Sequence, residues 1–535
     1  MQRRDLLKHA ALTAAASAVP SCARSSPSQA STSATVPASF EFDEITIAQI
    51  QQKMRDGSLT SRALVDAYLR RIEALDHAGP ALQSILEINP DASAIAAQLD
   101  AERKNGRTRG PLHGVPIIIK GNIDTHDRMS TTAGSSALKG VVARRDAFIV
   151  ERLRNAGAVV LAKSNLSEWA NFRSTHSSSG WSALGGQGKN PYGLNRTPCG
   201  SSSGSAQATA ANLVAVSIGT ETDGSIVCPS SSHALVGIKP TVGLVSRRGI
   251  VPIAHSQDTA GPIARTVADA AALLGVLAGV DREDSATAAS DGRSIADYAT
   301  ALDARGLRGA RIGVARAKVT GYNDDTDRLY AEAVRAMKAG GAELVDPADI
   351  PHLGEYDDSE LTLLLYECKA DLNAYLASAG APITTLQELI AFNAAHRSEE
   401  MPYFGQELFL RAQEKGPLTD QAYLDVLARN RRLSRAEGID AVMDRFRLDA
   451  IIAPTAGPPW VIDLVNGDHF TGGSSTPAAV AGYPSITVPM GFAFGLPVGL
   501  SFIGRAWTEA TLIRLAYSFE QATKHRKPPR FVPIV

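Results

Sequence analysis

The chain has 535 residues, 44% apolar and 20% charged, an ordinary globular composition and not a disordered one. With 54 Lys+Arg against 55 Asp+Glu the formal net charge is −1, which excludes the broad basic footprint of a nucleic-acid binder. Four cysteines (Cys22, Cys199, Cys228 and Cys368) in so long a chain exclude a disulfide scaffold, and no CxxC pair points to zinc.

Residues 1–39 read as an address and not as part of the fold. Arg3-Arg4-Asp5-Leu6-Leu7-Lys8 is a twin-arginine export motif. The apolar stretch after it, Ala10 to Val19, is too short for a bilayer that needs about 20 residues. Ala16-Ser17-Ala18 offers a small-x-small cleavage site, giving a periplasmic or secreted protein. Val19-Pro20-Ser21-Cys22 offers the alternative of a lipoprotein box, with a lipid anchor at Cys22. Residues 23–39 are rich in Ser, Thr, Pro and Ala and suit a linker. The segment 1–39 carries a net +3, which leaves −4 on residues 40–535.

From residue 40 helices and strands alternate. Thr60 caps a helix with apolar positions Leu64, Tyr68, Ile72 and Leu75, and Gly79-Pro80 stops it. A second helix runs from Ala94 to Lys104 and ends at Gly106. Val115 and Ile117 to Ile119 form a buried strand that breaks at Lys120. Ala158 to Leu161 and Leu213 to Ile218 are similar short runs. Thr266 with Asp269 makes a capping-box start for a helix through Leu277. Residues 355–445 are more charged and read as a helical insertion over the site. Length alone suggests about three domains. The absence of a linker-like break within 40–535 favours one α/β domain around a mixed sheet.

Chemistry concentrates in three stretches of residues 110–265, which hold 19 of the 45 glycines. They are Gly114-Val115-Pro116-Ile117-Ile118-Ile119-Lys120, Cys199-Gly200-Ser201-Ser202-Ser203-Gly204-Ser205 and Gly219-Thr220-Glu221-Thr222-Asp223-Gly224-Ser225-Ile226. Singly they are a strand end, a flexible loop and a turn. In this order and spacing they resemble the amidase signature family of serine hydrolases. Leu161 to Glu168, Asp258-Thr259-Ala260-Gly261-Pro262, Gly482 to Pro489 and Gly495 to Gly499 fit the same pattern, so the resemblance spans most of 40–535. Ser167-Glu168-Trp169-Ala170-Asn171-Phe172, the Cys199–Ser205 run and Thr220 to Pro229 most resemble bacterial peptide amidases, which remove the C-terminal amide of peptides.

The resemblance implies a Ser-cisSer-Lys triad: Ser225 as nucleophile, Ser201 on a cis peptide bond as the bridging serine, and Lys120 as base. Gly200 and Gly204 permit that backbone path, and Gly200 and Ser202 are supporting positions. The resemblance places the oxyanion hole on the backbone N–H groups of Thr222, Asp223, Gly224 and Ser225. A serine hydroxyl is a poor nucleophile until a neighbour takes its proton. A lysine that is half neutral near pH 7 has lost roughly 4.6 kcal/mol of its preference for the cation. Burial beside Ile117 to Ile119 pushes it that way. No metal or cofactor is expected, and the eleven histidines form no HExxH pair. His113 reads as a packing histidine.

Two departures stand out. Gly121 occupies a position where the family usually has Asp, and whether nearby Asp124 substitutes stays open at this point. Ser203 and Asp223 replace common glycines, as peptide amidases also do. Three other readings remain at this point. Gly200-Ser201-Ser202-Ser203-Gly204 satisfies GxSxG, with Ser202 as nucleophile and, for instance, Asp463 and His469 as partners, although Asn190 to Pro198 lacks the strand an elbow needs. Gly121 permits a catalytically weakened amide-binding protein. An amidotransferase subunit is the third, against which the export motif speaks. The expected partner is a small-molecule or peptide amide; other small, aryl or fatty amides and the oligomeric state stay open.

Overall fold

The computed structural model describes residues 40–534, so the export motif, the lipoprotein box and Cys22 lie outside the described residues. The strands described are, in chain order, β1 (Ile85–Ile88), β2 (Pro116–Lys120), β3 (Val159–Ser164), β4 (Trp181–Ser182), β5 (Gly186–Gln187), β6 (Val216–Glu221), β7 (Val236–Lys239), β8 (Thr259–Ala264), β9 (Arg311–Val314), β10 (Glu343–Val345), β11 (Ala450–Pro454), β12 (Ser485–Ala493) and β13 (Leu496–Ile503). β4 and β5 form a small hairpin; the other strands make one sheet in the order β1-β3-β2-β6-β8-β7-β12-β13-β11-β9-β10. β2 lies parallel to β3 and β6, and β9 lies parallel to β10 and β11. The remaining pairs are antiparallel, so the sheet is mixed, as the alternating pattern implies. The described residues form one compact unit and not the three that length suggests.

β2 shows why the sequence behaves this way. A strand covered on both faces reads as a continuous apolar run, and Ile117, Ile118 and Ile119 are all fully buried. The run ends at Lys120 on the same strand. β6 lies beside it, with Ile117 opposite Val216 and Ile119 opposite Ile218, so Thr220 and Glu221 emerge near the lysine. Helices flank the sheet, and Leu99, Leu273, Leu274, Leu512, Leu515 and Phe519 from three of them join its main core.

Thr60 caps the helix Ser61–Ile72 through Ala63 N–H, and a wider π turn over Glu73–His77 carries Leu75. Thr266 caps Val267–Leu277, but only half of the expected capping box exists. Asp269 N–H donates to Thr266 Oγ1, while the Asp269 carboxylate accepts from Ile47 N–H at 3.0 Å. The full box occurs at Thr46 and Gln49, starting the helix Ile47–Arg55, which the sequence reading passed over. Region 355–445 is helical as expected, led by Asp357–Ala379. Among the described residues no helix is long and apolar enough to cross a membrane.

Candidate active site

Lys120 leaves β2 fully buried. Its Nζ donates to Ser201 Oγ at 2.7 Å, Thr220 Oγ1 at 2.9 Å and Thr220 O at 3.2 Å. Asn122 Nδ2 holds the same Thr220 hydroxyl from the other side at 3.1 Å. Burial pushes the lysine down to about 7 from its ordinary 10.5, against the opposing charges of Asp258 and then Glu221. An amine with three polar neighbours and that proton affinity exchanges a proton with a serine hydroxyl near neutral pH.

Ser201 follows the cis Gly200–Ser201 peptide bond. Its carbonyl accepts from Ser167 N–H at 3.1 Å, and a Cβ at Gly200 would run into Ser167 Oγ. A side chain at Gly200 would therefore have to displace the Ser167 hydroxyl where the two loops touch. Ser202 behaves differently from its neighbour. Its hydroxyl donates to Thr220 O at 3.0 Å and accepts from Thr220 N–H at 3.1 Å. Buried and committed to β6 backbone, it is no nucleophile, and no strand precedes it. The alternative partners fail as well: Asp463 organises a turn at Val465 and Asn466.

Ser225 follows Gly224, whose φ of +80° is a left-handed conformation that suits glycine. Ser225 keeps 8% exposure at a site where Ser201 and Lys120 have none. The backbone N–H groups of Thr222, Asp223, Gly224 and Ser225 make no hydrogen bond to another group among the described residues. Just past them, Glu221 Oε2 accepts from Ile226 N–H at 2.6 Å and Val227 N–H at 3.0 Å, which fixes the turn from inside. Thr222 Oγ1 donates to Asp258 at 2.6 Å, and Thr476 Oγ1 donates to Asp223 at 2.7 Å. Burial raises the Asp258 carboxyl to about 6. A turn with four N–H groups free of partners beside a serine can hold an oxyanion.

The two serine stretches touch directly, since Ser202 N–H donates to Ser225 O at 3.2 Å. A disulfide between Cys199 and Cys228 also joins them, a feature the cysteine count gave no reason to expect. Beside the lysine, a cavity of about 450 Å³ is lined by Asn122, Thr220, Thr222, Asp258, Ile253 and Tyr375, the last from the helical insertion.

The structure therefore joins Lys120 to Ser201 by a side-chain hydrogen bond and brings the loop of Ser201 against Ser225 through the Ser202 N–H to Ser225 O bond, while the Ser202 hydroxyl is turned to Thr220. His113 packs as expected, with Nε2 3.0 Å from Leu99 O. Asp124 does not stand in for the acid missing at Gly121. Its carboxylate accepts from Tyr375 Oη at 2.8 Å and does not reach Lys120. An Asp at 121 has little room, because its Cβ would lie 2.8 Å from Leu86 Cδ1 and 3.0 Å from Ser164 O. Sequence reasoning missed Thr220 and Asn122 as partners of the lysine, and missed the charges of Asp258 and Glu221. Thr220, Glu221 and Asp258 lay inside quoted motifs, but nothing local marked their direction.

A sequence model of the amidase family matches residues 63–513. A probable amidase of Arabidopsis thaliana is 42% identical over 503 residues, covering 92% of this chain and 93% of that protein. The X-ray structure of native peptide amidase from Stenotrophomonas maltophilia is 52% identical with a TM-score of 0.89, covering 92% of this chain and 100% of that one. An amidase family protein from Bacillus anthracis str. Ames is 35% identical with a TM-score of 0.82, covering 91% and 93%.

Proposed function

The chain belongs to the amidase signature family and hydrolyses carboxamide C–N bonds, and from that premise we propose that it releases ammonia from the C-terminal amide of peptides through an acyl-enzyme on Ser225. The 2.7 Å contact between Ser201 and a buried Lys120 whose proton affinity falls to about 7 carries the mechanistic part. The likeness to the Stenotrophomonas maltophilia peptide amidase supports the substrate class.

In this reading Ser225 Oγ attacks the carbonyl carbon and passes its proton to Ser201 Oγ, which passes its own to Lys120 Nζ. The carbonyl oxygen becomes an anion held by N–H groups of the turn from Thr222 to Ser225. Loss of one such donor costs about 2.7–4 kcal/mol of transition-state stabilisation. The proton returns through Ser201 to the leaving nitrogen, the C–N bond breaks and ammonia departs. Water then attacks the ester at Ser225 by the same relay and frees the carboxylate.

The enzyme is exported by the twin-arginine route in this reading, and the disulfide supports it, since such bonds persist in oxidising compartments. Ammonia release across peptide, aryl and fatty amides tests the substrate class. Peptide amides should lose only the terminal amide, with internal bonds intact, and folded Ser225→Ala and Lys120→Ala variants should be inactive. Turnover of fatty amides alone would sink the peptide reading.

A further inference from the structure

Cys199 precedes Ser201 by two residues, and Cys228 follows Ser225 by three. The bond between them spans 29 residues of chain and leaves Cys368 as a free, buried cysteine. Both half-cystines are buried and pack with Ala456 and Trp460. On one side Cys228 lies in the helix Val227–Ser231, and its N–H donates to Gly224 O at 2.8 Å. That side belongs to the rigid turn held by Glu221.

The other side is an irregular loop, held from outside by Thr197 N–H to Trp460 O at 2.8 Å and by Ser167 N–H to Ser201 O at 3.1 Å. Residues 191–202 contain no regular helix or strand. Cys199 itself has φ +52°, a left-handed conformation disfavoured for a residue with a Cβ. Its own backbone anchor is a 3.1 Å bond to Thr197 Oγ1, within the same loop. The covalent link therefore joins an irregular loop carrying the bridging serine to a fixed turn carrying the nucleophile.

We propose that the Cys199–Cys228 disulfide is a positioning device for amide hydrolysis, setting Ser201 against Ser225 so that the proton relay is in register. This rests on the triad reading above. A relay needs both hydroxyls within hydrogen-bond reach, and a 1 Å misplacement can cost about 10²-fold in rate. The cavity beside Lys120 takes no lining residue from the Cys199–Ser202 loop, so the loss falls on kcat and not on KM.

The test uses the full enzyme and dithiothreitol. Thiolate attack on the disulfide gives a mixed disulfide; the reagent then closes to its own cyclic disulfide, delivering two electrons and two protons to the cysteine pair. No Lys or Arg lies between Arg196 and Lys239, so both cysteines fall in one tryptic peptide, which gains two hydrogens on reduction. Reduction should lower kcat for ammonia release roughly 10- to 100-fold with KM and far-UV circular dichroism unchanged. Reoxidation with glutathione disulfide should restore it. The double variant Cys199→Ala/Cys228→Ala should show the same low kcat and no response to reductant; if it does not fold, reduction and reoxidation of the wild type decide. Full kcat in the reduced enzyme, activity lost only together with the circular dichroism signal, or an active enzyme whose cysteines are already dithiol would each overturn the proposal. A Ser225→Ala variant that stays active would instead overturn the triad reading.

Discussion

Lys120 ends an apolar strand with three acceptors around Nζ, and burial brings its proton affinity down to about 7. Below that pH the amine is a cation and cannot accept a proton from Ser201. The limiting kcat/KM should therefore rise with pH through about 7 and level off above it. Thr220 Oγ1 accepts from the cation and so favours it. Thr220→Val should then move this acidic limb to lower pH, and a pH–rate profile in which the limb stays or rises would contradict that role. Ser202 invites a second measurement. Ser202→Ala leaves Thr220 N–H without its acceptor, so it should cost about 1–3 kcal/mol in urea unfolding yet retain the chemistry. Complete loss of turnover in a folded Ser202→Ala protein would reinstate it as nucleophile. The sequence marks Ser201 and Ser202 alike; only the direction of each hydroxyl separates them.

At the scale of elements, the helix Ser203–Ala210 is built wholly of buried, mostly small residues behind Ser201. A Cβ at Gly204 would meet Ser84 O, and Asn165 O at 2.5 Å, both backbone atoms that cannot swing aside. Gly204→Ala should therefore push the helix off its seat, costing about 3 kcal/mol and lowering kcat, as denaturant midpoints and ammonia-release rates would show. A neutral effect on both would mean that the close approach is not needed. Elements with a local cause were legible. Thr60 and Thr266 start helices because a short hydroxyl accepts from an N–H three residues on, and β2 is a strand because it is continuously apolar. The opening helix Ile47–Arg55 was overlooked although Thr46 and Gln49 carry the full reciprocal cap. At Asp269 the residue type was right and the partner wrong, since its carboxylate finds Ile47, which is 222 positions away in sequence.

For the whole molecule, one mixed sheet replaces the three domains that length suggested, because a continuous core ties strands from Ile85 to Ile503. The twin-arginine reading of residues 1–39 makes a cellular prediction. Arg3→Lys/Arg4→Lys should leave ammonia-releasing activity in the cytoplasmic fraction, whereas the unaltered protein should be found outside it. An unchanged distribution would refute export by this route, and recovery of the unaltered protein in the membrane fraction would favour lipidation at Cys22.

The sequence by itself determined the family, the α/β class and the three stretches that carry the family's pattern. Those depend on local features: a continuous apolar run, glycines at tight turns, and hydroxyls at fixed spacing within a loop. Only the tertiary structure decided which of those groups meet. Lys120 reaches Ser201 across 81 positions and Thr220 across 100, Cys199 is bonded to Cys228, and Leu86 and Ser164 close the space at Gly121. Such pairings follow from how strands stack in the sheet, which no single segment encodes, and burial then brings the proton affinity of an ordinary lysine down to about 7.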